Sequence, residues 1–336
     1  MPDNAVISVE DETRVSAARR LSATLCRQLE MDSTENGKVA IIVTELAANL
    51  ARHAGGGEIV IRLLENENRP GVEILALDRG PGIRNISECI RDGYSTYGGQ
   101  GQGLGAVMRL SSEFDFFSQQ GKGVAVVSRV WKNGIKPDPR FFSTGAVCLP
   151  KQGETACGDA WAHLAQPGKS LVFVADGLGH GPDAAAASAE AVRLFRKHHL
   201  STPAEIMQYV HNGLRKTRGA AVAVAEVDHD NAVVRYVGCG NIAGCICNPG
   251  KARNMVSHNG IVGLDVRKIQ EYEYPWPEGS LLIMHSDGMA TRWTMDDYPG
   301  LAAKDTSLVA GVLYRDWKRG NDDITVVVAR EGVFSP

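Results

Sequence analysis

The chain has 336 residues, with 36 basic and 39 acidic side chains and a formal net charge of −3. This length exceeds one ordinary hydrophobic core and predicts two domains. The nearly neutral charge disfavours a nucleic acid or an anionic membrane as partner. No apolar run approaches the roughly 18–20 residues that cross a bilayer, and residues 1–12 are acidic rather than a basic and then apolar leader. We therefore expect a cytoplasmic protein.

The two halves of the chain have different patterns of predicted elements. The first half mixes helices and strands: helices at 12–29, 35–53 and 104–111, strands at 58–64 and 71–78, and two further strands that end at Trp131. Residues 132–140, with two prolines and a glycine among charged residues, are the best linker candidate. The second half is rich in strands, at 170–175, 220–227, 232–237, 280–285 and 324–329, with helices at 184–198 and 203–214.

The second predicted helix carries Glu45, Asn49 and His53 at intervals of four. Residues four apart on a helix project to nearly the same face, so these polar groups form one stripe. Such a stripe by itself is more often the solvated side of an amphipathic helix than a site. Two glycine-rich segments that follow make a ligand site the better interpretation.

The first of these segments, residues 78–83 (Asp-Arg-Gly-Pro-Gly-Ile), follows a strand. It places a carboxylate at the strand end and lets glycine backbone approach a planar ligand closely. The second, residues 99–105 (Gly-Gln-Gly-Gln-Gly-Leu-Gly), opens a helix, where free N–H groups and the helix dipole favour phosphate. A lone Gly-x-Gly run is weak evidence. The polar stripe on the helix followed by the two glycine-rich segments, in this order, indicates a nucleotide site.

These motifs, together with residues 92–96 (Asp-Gly-Tyr-Ser-Thr), resemble the GHKL ATPase fold and, within it, the RsbT type of switch kinase, over about residues 8–132. The resemblance implies that Asn49 holds Mg²⁺ on bound ATP and that Asp78 binds the adenine amino group. It makes Glu45 the candidate base, which accepts a proton from the attacking protein hydroxyl. It places the other nucleotide contacts at Gly80, Gly82, Gly101, Gly103, Leu104 and Gly105.

In the second half, apolar strand-like runs end or begin at carboxylates. Residues 171–175 lead into Asp176, and residues 281–286 lead into Asp287. Asp322 and Asp323 stand immediately before another such run. Any single Asp-Gly pair is more often a turn. Three buried strands that carry carboxylates can nevertheless converge at the rim of a sheet, where the charges are tolerable around cations. The pattern predicts a pair of Mg²⁺ or Mn²⁺ ions.

Residues 145–331 resemble PP2C-like phosphatases of the SpoIIE class, most closely the RsbX type, with residues 175–181 (Ala-Asp-Gly-Leu-Gly-His-Gly) as the most specific match. The resemblance implies that a metal-bridging water attacks phosphorus in line, with no phosphoenzyme. The metal ligands that it implies are Asp159, Asp176, the Gly177 carbonyl, Asp287 and Asp322.

The second half departs from the eukaryotic relatives at two points. Leu178 stands where they have a histidine directly after the Asp-Gly pair, and no arginine precedes Asp159 at their spacing. The acid that protonates the leaving group is therefore open. His180 is one alternative, and a residue that merely opens a helix is the other interpretation of that position.

The expected fold class is α+β. It comprises an N-terminal GHKL (Bergerat) ATP-binding α/β sandwich at 1–134, a linker at 135–144 and a C-terminal PP2C-like β-sandwich flanked by helices at 145–336. The expected function is that of a bifunctional partner-switching regulator. The first domain would use Mg-ATP to phosphorylate a STAS-domain partner, and the second would remove phosphate from a serine or threonine with two Mn²⁺ or Mg²⁺ ions. The alternative is a phosphatase fused to a non-catalytic module that binds a regulator or senses ATP.

Overall fold

The computed structural model describes residues 4–64, 70–83, 103–134, 142–248 and 250–332. These residues form two compact units. The first comprises residues 4–134 and 303–315, and the second comprises 142–302 and 316–332. Among the described residues, no helix combines the length and the apolar character needed to span a membrane.

The first unit contains one five-stranded antiparallel sheet in the order β1-β2-β3-β5-β4. Its elements are β1 (Asn4–Val9), α1 (Thr13–Gln28), α2 (Ser33–His53), β2 (Gly57–Leu64), β3 (Gly71–Leu77), α3 (Gly103–Leu110), β4 (Glu113–Gln119) and β5 (Gly123–Trp131). Helix α2 begins with a capping box, in which the Asp32 side chain accepts from the Glu35 N–H and the Glu35 side chain accepts from the Asp32 N–H. The predicted helices and strands of this half are confirmed, whereas β1 was not predicted.

The second unit contains two sheets, β13-β10-β9-β8-β7 with β16 beside β10, and β12-β11-β17-β18-β6. Its strands are β6 (Phe142–Leu149), β7 (Asp159–Gln166), β8 (Lys169–Gly177), β9 (Ala220–Asp228), β10 (Val233–Cys239), β11 (Ala243–Asn248), β12 (Lys251–Asn254), β13 (Ser257–His258), β14 (Gly260–Ile261), β15 (Asp265–Val266), β16 (Tyr272–Pro275), β17 (Leu281–His285) and β18 (Ile324–Glu331). The helices that follow residue 142 are α4 (Pro182–Lys197), α5 (Pro203–Gly213) and α6 (Thr306–Trp317).

The two large sheets of the second unit pack face to face. Their shared core includes Val172 and Tyr236 from one sheet and Leu282 and Val327 from the other. Helices α4 and α5 cover the outer face of the β7–β10 sheet, where Phe195 stacks on Phe173 at a centroid distance of 4.7 Å. The expected β-sandwich with flanking helices is confirmed.

Both faces of the sheet in the first unit are covered. Ile74 of β3 contributes to the core beneath α1 and α2, while Leu75 and Leu77 point to the opposite face and are buried as well. Helix α6 covers that second face, since a Cβ added at Gly311 would lie 3.1 Å from Leu77 and 3.7 Å from Leu75. This helix comes from the second half of the sequence and was not predicted.

Candidate nucleotide and metal sites

Helices α2 and α3 bring part of the predicted nucleotide site together. Glu45 and Asn49 are half-buried on α2. A Cβ added at Gly103, the first residue of α3, would lie 3.0 Å from Glu45 Oε2 and 3.5 Å from Asn49 Oδ1. The beginning of α3 therefore faces both side chains, and its free backbone N–H groups are available to an anion there. His53 is exposed in the last turn of α2.

Asp78 lies directly after β3 and is 8% exposed. Its Oδ1 accepts hydrogen bonds from the N–H groups of Gly80 at 2.8 Å and of Val124 at 3.1 Å. Burial raises the pKa of Asp78, and these two N–H groups oppose the rise. One carboxylate oxygen, Oδ1, thus accepts both hydrogen bonds and holds the loop in place.

Gly82 has a φ of +73°, and a Cβ added there would lie 2.5 Å from the carbonyl oxygen of Gln119. The backbone at this position therefore requires glycine. Gly80 also lies against neighbouring backbone, because a Cβ added there would lie 2.8 Å from Cα of Ala54. Both residues shape the loop that follows Asp78.

Of the remaining predicted nucleotide contacts, Leu104 and Gly105 lie among the described residues. Gly105 is buried within α3, and Leu104 is half-buried and packs against the core beneath α1 and α2. Gly101 and residues 92–96 lie outside the described residues.

In the second unit, Asp159 is the first residue of β7 and Asp176 is the last but one of β8, and they are directly opposed in the antiparallel register of these strands. Ser286 Oγ donates to Asp159 Oδ2 at 2.6 Å and accepts from the Thr325 N–H at 2.9 Å. The other oxygen of Asp159 is buried, and within the described part of the chain it has no hydrogen-bond partner. An unpaired buried carboxylate oxygen is costly unless a cation or a proton reaches it.

Asp287 and the pair Asp322 and Asp323 lie in the loops beyond β17 and before β18. Asn241 donates to Asp287 Oδ2 at 2.7 Å, and the Lys151 N–H donates to Asp323 Oδ1 at 2.8 Å. Asp323 Oδ2 is buried, and a Cβ added at Gly158 would lie 2.6 Å from it. Sequence analysis did not select Asn241, Lys151 or Ser286, because neither their spacing nor their type distinguishes them from ordinary loop and strand residues.

The carboxylates repel one another. Burial and the negative charges of its neighbours raise the pKa of Asp176 to about 9; those neighbours are Asp159, Asp287, Asp322 and Asp323. Burial is also the main cause that raises the pKa of Asp159 well above its ordinary value. A group of oxygen ligands with excess negative charge is suited to a hard divalent cation.

A cleft of about 510 Å³ opens over this group. Asp176, Asp287 and Asp322 line it, whereas Asp159 is buried and Gly177 continues the backbone from Asp176. Within the described part of the chain, no three side chains of His, Cys, Asp or Glu are close enough to hold one ion jointly. Mg²⁺ commonly keeps several waters and takes only one or two carboxylates, so these residues fit an ion that is held largely through water.

Leu178 and His180 also line the cleft. His180 Nδ1 lies 2.8 Å from Glu154 Oε1, so the imidazole has a carboxylate that orients it. Leu178 is 46% exposed and presents an apolar surface at the position where the eukaryotic relatives have a histidine. His180 is the one histidine in residues 175–181, the motif that contains Asp176.

Comparison with known proteins identifies both halves. Residues 8–129 match the family model of the histidine kinase-like ATPase domain, and residues 166–331 match that of Stage II sporulation protein E (SpoIIE). The chain is 34% identical over 131 residues to the serine/threonine-protein kinase RsbT of Bacillus subtilis (strain 168), which covers 39% of this chain and 98% of RsbT. It is 25% identical over 142 residues to the phosphoserine phosphatase RsbX of the same organism, which covers 42% of this chain and 71% of RsbX.

A crystal structure of RsbX in complex with magnesium has a TM-score of 0.50 and 21% sequence identity, over 58% of this chain and 98% of that chain. The fold and the matches define the class as an ATPase domain joined to a PP2C-like domain. The chain belongs to the RsbT family of histidine kinase-like ATPase-domain proteins, with a SpoIIE-type domain fused to it. The resemblance inferred from the motifs is thereby confirmed in both halves.

Proposed function

We propose that this protein is a bifunctional partner-switching regulator. Its ATPase domain phosphorylates a STAS-domain protein, and its PP2C-like domain removes phosphate from a serine or threonine of the same or a related partner. The acidic cleft carries the proposal most strongly, because Asp176, Asp287 and Asp322 line it together and burial with mutual repulsion raises the pKa of Asp176 to about 9. Likeness to RsbT and RsbX supports the pairing of opposed activities.

For the phosphatase, the proposed metal-holding residues are Asp159, Asp176, Asp287 and Asp322, with the Gly177 carbonyl. Two Mn²⁺ or Mg²⁺ ions, when bound, supply an acidified water and neutralise charge on phosphate. Ser286 holds the Asp159 carboxylate by a 2.6 Å hydrogen bond, and Asn241 holds that of Asp287. These two contacts orient oxygens that would otherwise repel each other.

For the kinase, the proposed base is Glu45, and Asn49 is the proposed Mg²⁺ ligand beside it. Both face the beginning of α3, so a phosphate chain bound there would lie within reach of the Glu45 carboxylate. Asp78 would accept the adenine amino group through the oxygen that the loop does not use. The other proposed nucleotide contacts are Gly80, Gly82, Gly101, Gly103, Leu104 and Gly105.

The test uses the intact mass of a STAS-domain partner after incubation with Mg-ATP and the Asp176→Asn protein, in which the phosphatase is disabled. We expect a gain of one phosphate, which is lost again on addition of wild-type protein and Mn²⁺. Adding Glu45→Gln to the Asp176→Asn protein should abolish the gain while nucleotide still binds. Asp230→Asn, an exposed carboxylate of the same unit as Asp176, is the matched control and should remove phosphate as the wild type does.

The two arms of the proposal fail separately. If the partner and ATP both bind but no phosphate is gained, the first domain is a nucleotide-dependent binding module and the kinase assignment is wrong. If Asp176→Asn still removes phosphate with Mn²⁺, Asp176 does not belong to the metal site.

A further inference from the structure

The N-terminal end of helix α6 is tied to the sheet of the ATPase unit by buried ionic contacts. Ser307 Oγ donates to Glu73 Oε2 at 2.8 Å, and Glu73 is 1% exposed. Arg129 donates to both carboxylate oxygens of Asp305 at 2.7 Å and lies 2.7 Å from Glu73. Asp305 also accepts the N–H of Ser307 at 2.8 Å. Residues 303–315 therefore belong to the first unit, although they lie in the second half of the sequence.

The C-terminal end of α6 reaches the predicted adenine site. Arg315 is 4% exposed, and its Nη1 donates to the main-chain carbonyl of Asp78 at 2.8 Å. The guanidinium of Arg79 donates in return to the carbonyl of Arg315. Two reciprocal contacts therefore join the end of α6 to the two residues that begin the Asp78–Ile83 motif. Any movement of the Asp78 backbone must move or break them.

The chain that follows Arg315 runs directly into the metal loops of the second unit. The Ala290 N–H donates to the Trp317 carbonyl at 2.9 Å, and the Arg319 N–H donates to the Gly288 carbonyl at 2.9 Å. Residues 317–319 therefore pair with the segment immediately after Asp287. Only residues 320 and 321 then separate this paired segment from Asp322.

We infer that Arg315 is a positioning residue of the nucleotide site, and that through helix α6 nucleotide binding and phosphatase activity depend on each other. The inference rests on the proposed function and concerns the regulation of its two sites. A ligand that binds the Asp78 carboxylate fixes the same residue whose carbonyl holds Arg315. The segment that continues from α6 carries that restraint to the loops of Asp287 and Asp322. A coupling between two sites is reciprocal in their binding affinities, which it typically changes roughly 5- to 150-fold.

The experiment measures the phosphatase rate on p-nitrophenyl phosphate with and without a non-hydrolysable ATP analogue, at constant free Mn²⁺. We expect the ratio of the two rates in the wild type to differ from one by roughly fivefold or more. Arg315→Met, which keeps the stem but has no donor, should bring the ratio close to one and weaken analogue binding severalfold. Arg315→Lys, which retains a cationic N–H donor group, should restore part of both effects.

Arg330→Met is the matched control. Arg330 also donates to a backbone carbonyl, that of Ala302 at 3.1 Å, but it does not contact Asp78 or Arg79, and the variant should keep the wild-type ratio. A ratio of one in a wild-type protein that binds the analogue and has phosphatase activity overturns the inference and leaves the proposed function standing. Absence of analogue binding or of phosphatase activity in the wild type overturns both.

If Arg315 had only a structural role, its replacement would lower the phosphatase rates with and without the analogue together and leave their ratio unchanged. The ratio therefore distinguishes coupling from general destabilisation. If Arg315→Met does not fold, Arg79→Met decides, because it removes the reciprocal contact to the Arg315 carbonyl. Wild-type analogue affinity together with a wild-type ratio in Arg79→Met would contradict the inference.

Discussion

Asp159 and Asp176 are opposed partners on the antiparallel strands β7 and β8, with Asp159 buried and Asp176 half-buried. The negative charge of Asp159 is, after burial, the largest cause of the raised pKa of Asp176. Two opposed carboxylates on adjacent strands destabilise the sheet unless a proton or a cation lies between them or nearby. Metal binding and folding stability should therefore be linked in this domain.

The first prediction concerns pH. The pKa of Asp176 rises from 3.8 to about 9 in the folded protein, so the native state holds a proton more tightly than the unfolded state. Without metal, stability should fall as pH rises through the window between those two values. We expect the melting temperature of metal-free protein to be lower at about pH 8 than at about pH 5, and Mn²⁺ to reverse the loss most strongly at the higher pH.

The control for this effect is Asp176→Asn, which has no proton to lose at this position. Its metal-free melting temperature should change less between the two pH values. An identical pH dependence in this variant and the wild type, measured by differential scanning calorimetry, would show that other groups cause the slope.

The second prediction concerns Ser286, which joins Asp159 to the backbone of β18 by hydrogen bonds of 2.6 and 2.9 Å. Ser286→Ala leaves the second oxygen of Asp159 without its donor. Loss of a contact that orients a metal ligand typically costs roughly 10- to 100-fold in metal affinity or activity. We therefore expect the Mn²⁺ concentration for half-maximal phosphatase activity to rise roughly 10- to 100-fold.

Ser188→Ala is the matched control for Ser286→Ala. Ser188 is also buried, but its Oγ donates to the Ala185 carbonyl within helix α4. Its Mn²⁺ dependence should equal that of the wild type. Equal Mn²⁺ dependence in Ser286→Ala would exclude an orienting role for the serine.

The third prediction concerns Asp78. Asp78→Asn keeps an oxygen that can accept from Gly80 and Val124, but it replaces the second carboxylate oxygen by an amino group. An adenine amino donor would then meet another donor. Loss of a hydrogen bond to a charged group costs about 1.5–3 kcal/mol, so ATP should bind roughly 10- to 100-fold more weakly in isothermal titration calorimetry.

Asp11→Asn, an exposed carboxylate of the same unit, should bind ATP as the wild type does. If Asp78→Asn binds ATP with undiminished affinity, the adenine group is recognised elsewhere.

The fourth prediction concerns the buried charge row of the first unit. Arg62, Glu73, Arg129 and Glu113 are successive cross-strand partners on β2, β3, β5 and β4, and Arg129 also pairs with Asp305. Arg129→Met removes one of the two cations of the row, so that Asp305 loses its arginine and Glu73 keeps only Arg62; breaking a buried ion pair typically costs about 3–5 kcal/mol. Urea unfolding of the ATPase unit, monitored through loss of nucleotide binding, should shift to lower urea concentration.

Arg193→Met removes an arginine whose ion pair with Glu190 is exposed on α4. Exposed pairs contribute about 0–1 kcal/mol, so its urea midpoint should stay close to that of the wild type. A shift of equal size in both variants would mean that burial of the row in the first unit has no energetic consequence.

Local patterns predicted the helices and strands of the first half other than β1. In the second half they predicted β8, β9, β10, β17, β18, α4 and α5, but not the remaining strands or α6. The interval of four between Glu45 and Asn49 fixes their common face on α2, because a helix returns to that face about every four residues. The apolar run at 171–175 predicts a buried strand that delivers Asp176 at its end, and β8 confirms that strand. Glycine at position 82 is likewise a local signal, since its φ of +73° is unfavourable for other residues.

Two of the elements that were not predicted, α6 and β1, have no clear period. Residues 306–315 of α6 are all buried, so the helix has no polar face to alternate with an apolar one. Strand β1 is an edge strand that begins near the N-terminus, and its register becomes apparent only through pairing with β2. In both cases burial by other parts of the chain, rather than local propensity, determines the element.

The sequence by itself determined the two families, the order of their motifs and the residue types at each site, because those depend on neighbours along the chain. Only the tertiary structure decided which distant groups meet. Ser286 contacts Asp159, and Arg315 contacts Asp78, across separations of 127 and 237 residues. No periodicity reports such contacts, since they depend on how sheets and helices pack once formed. The same packing places helix α6, encoded in the phosphatase half, within the ATPase unit.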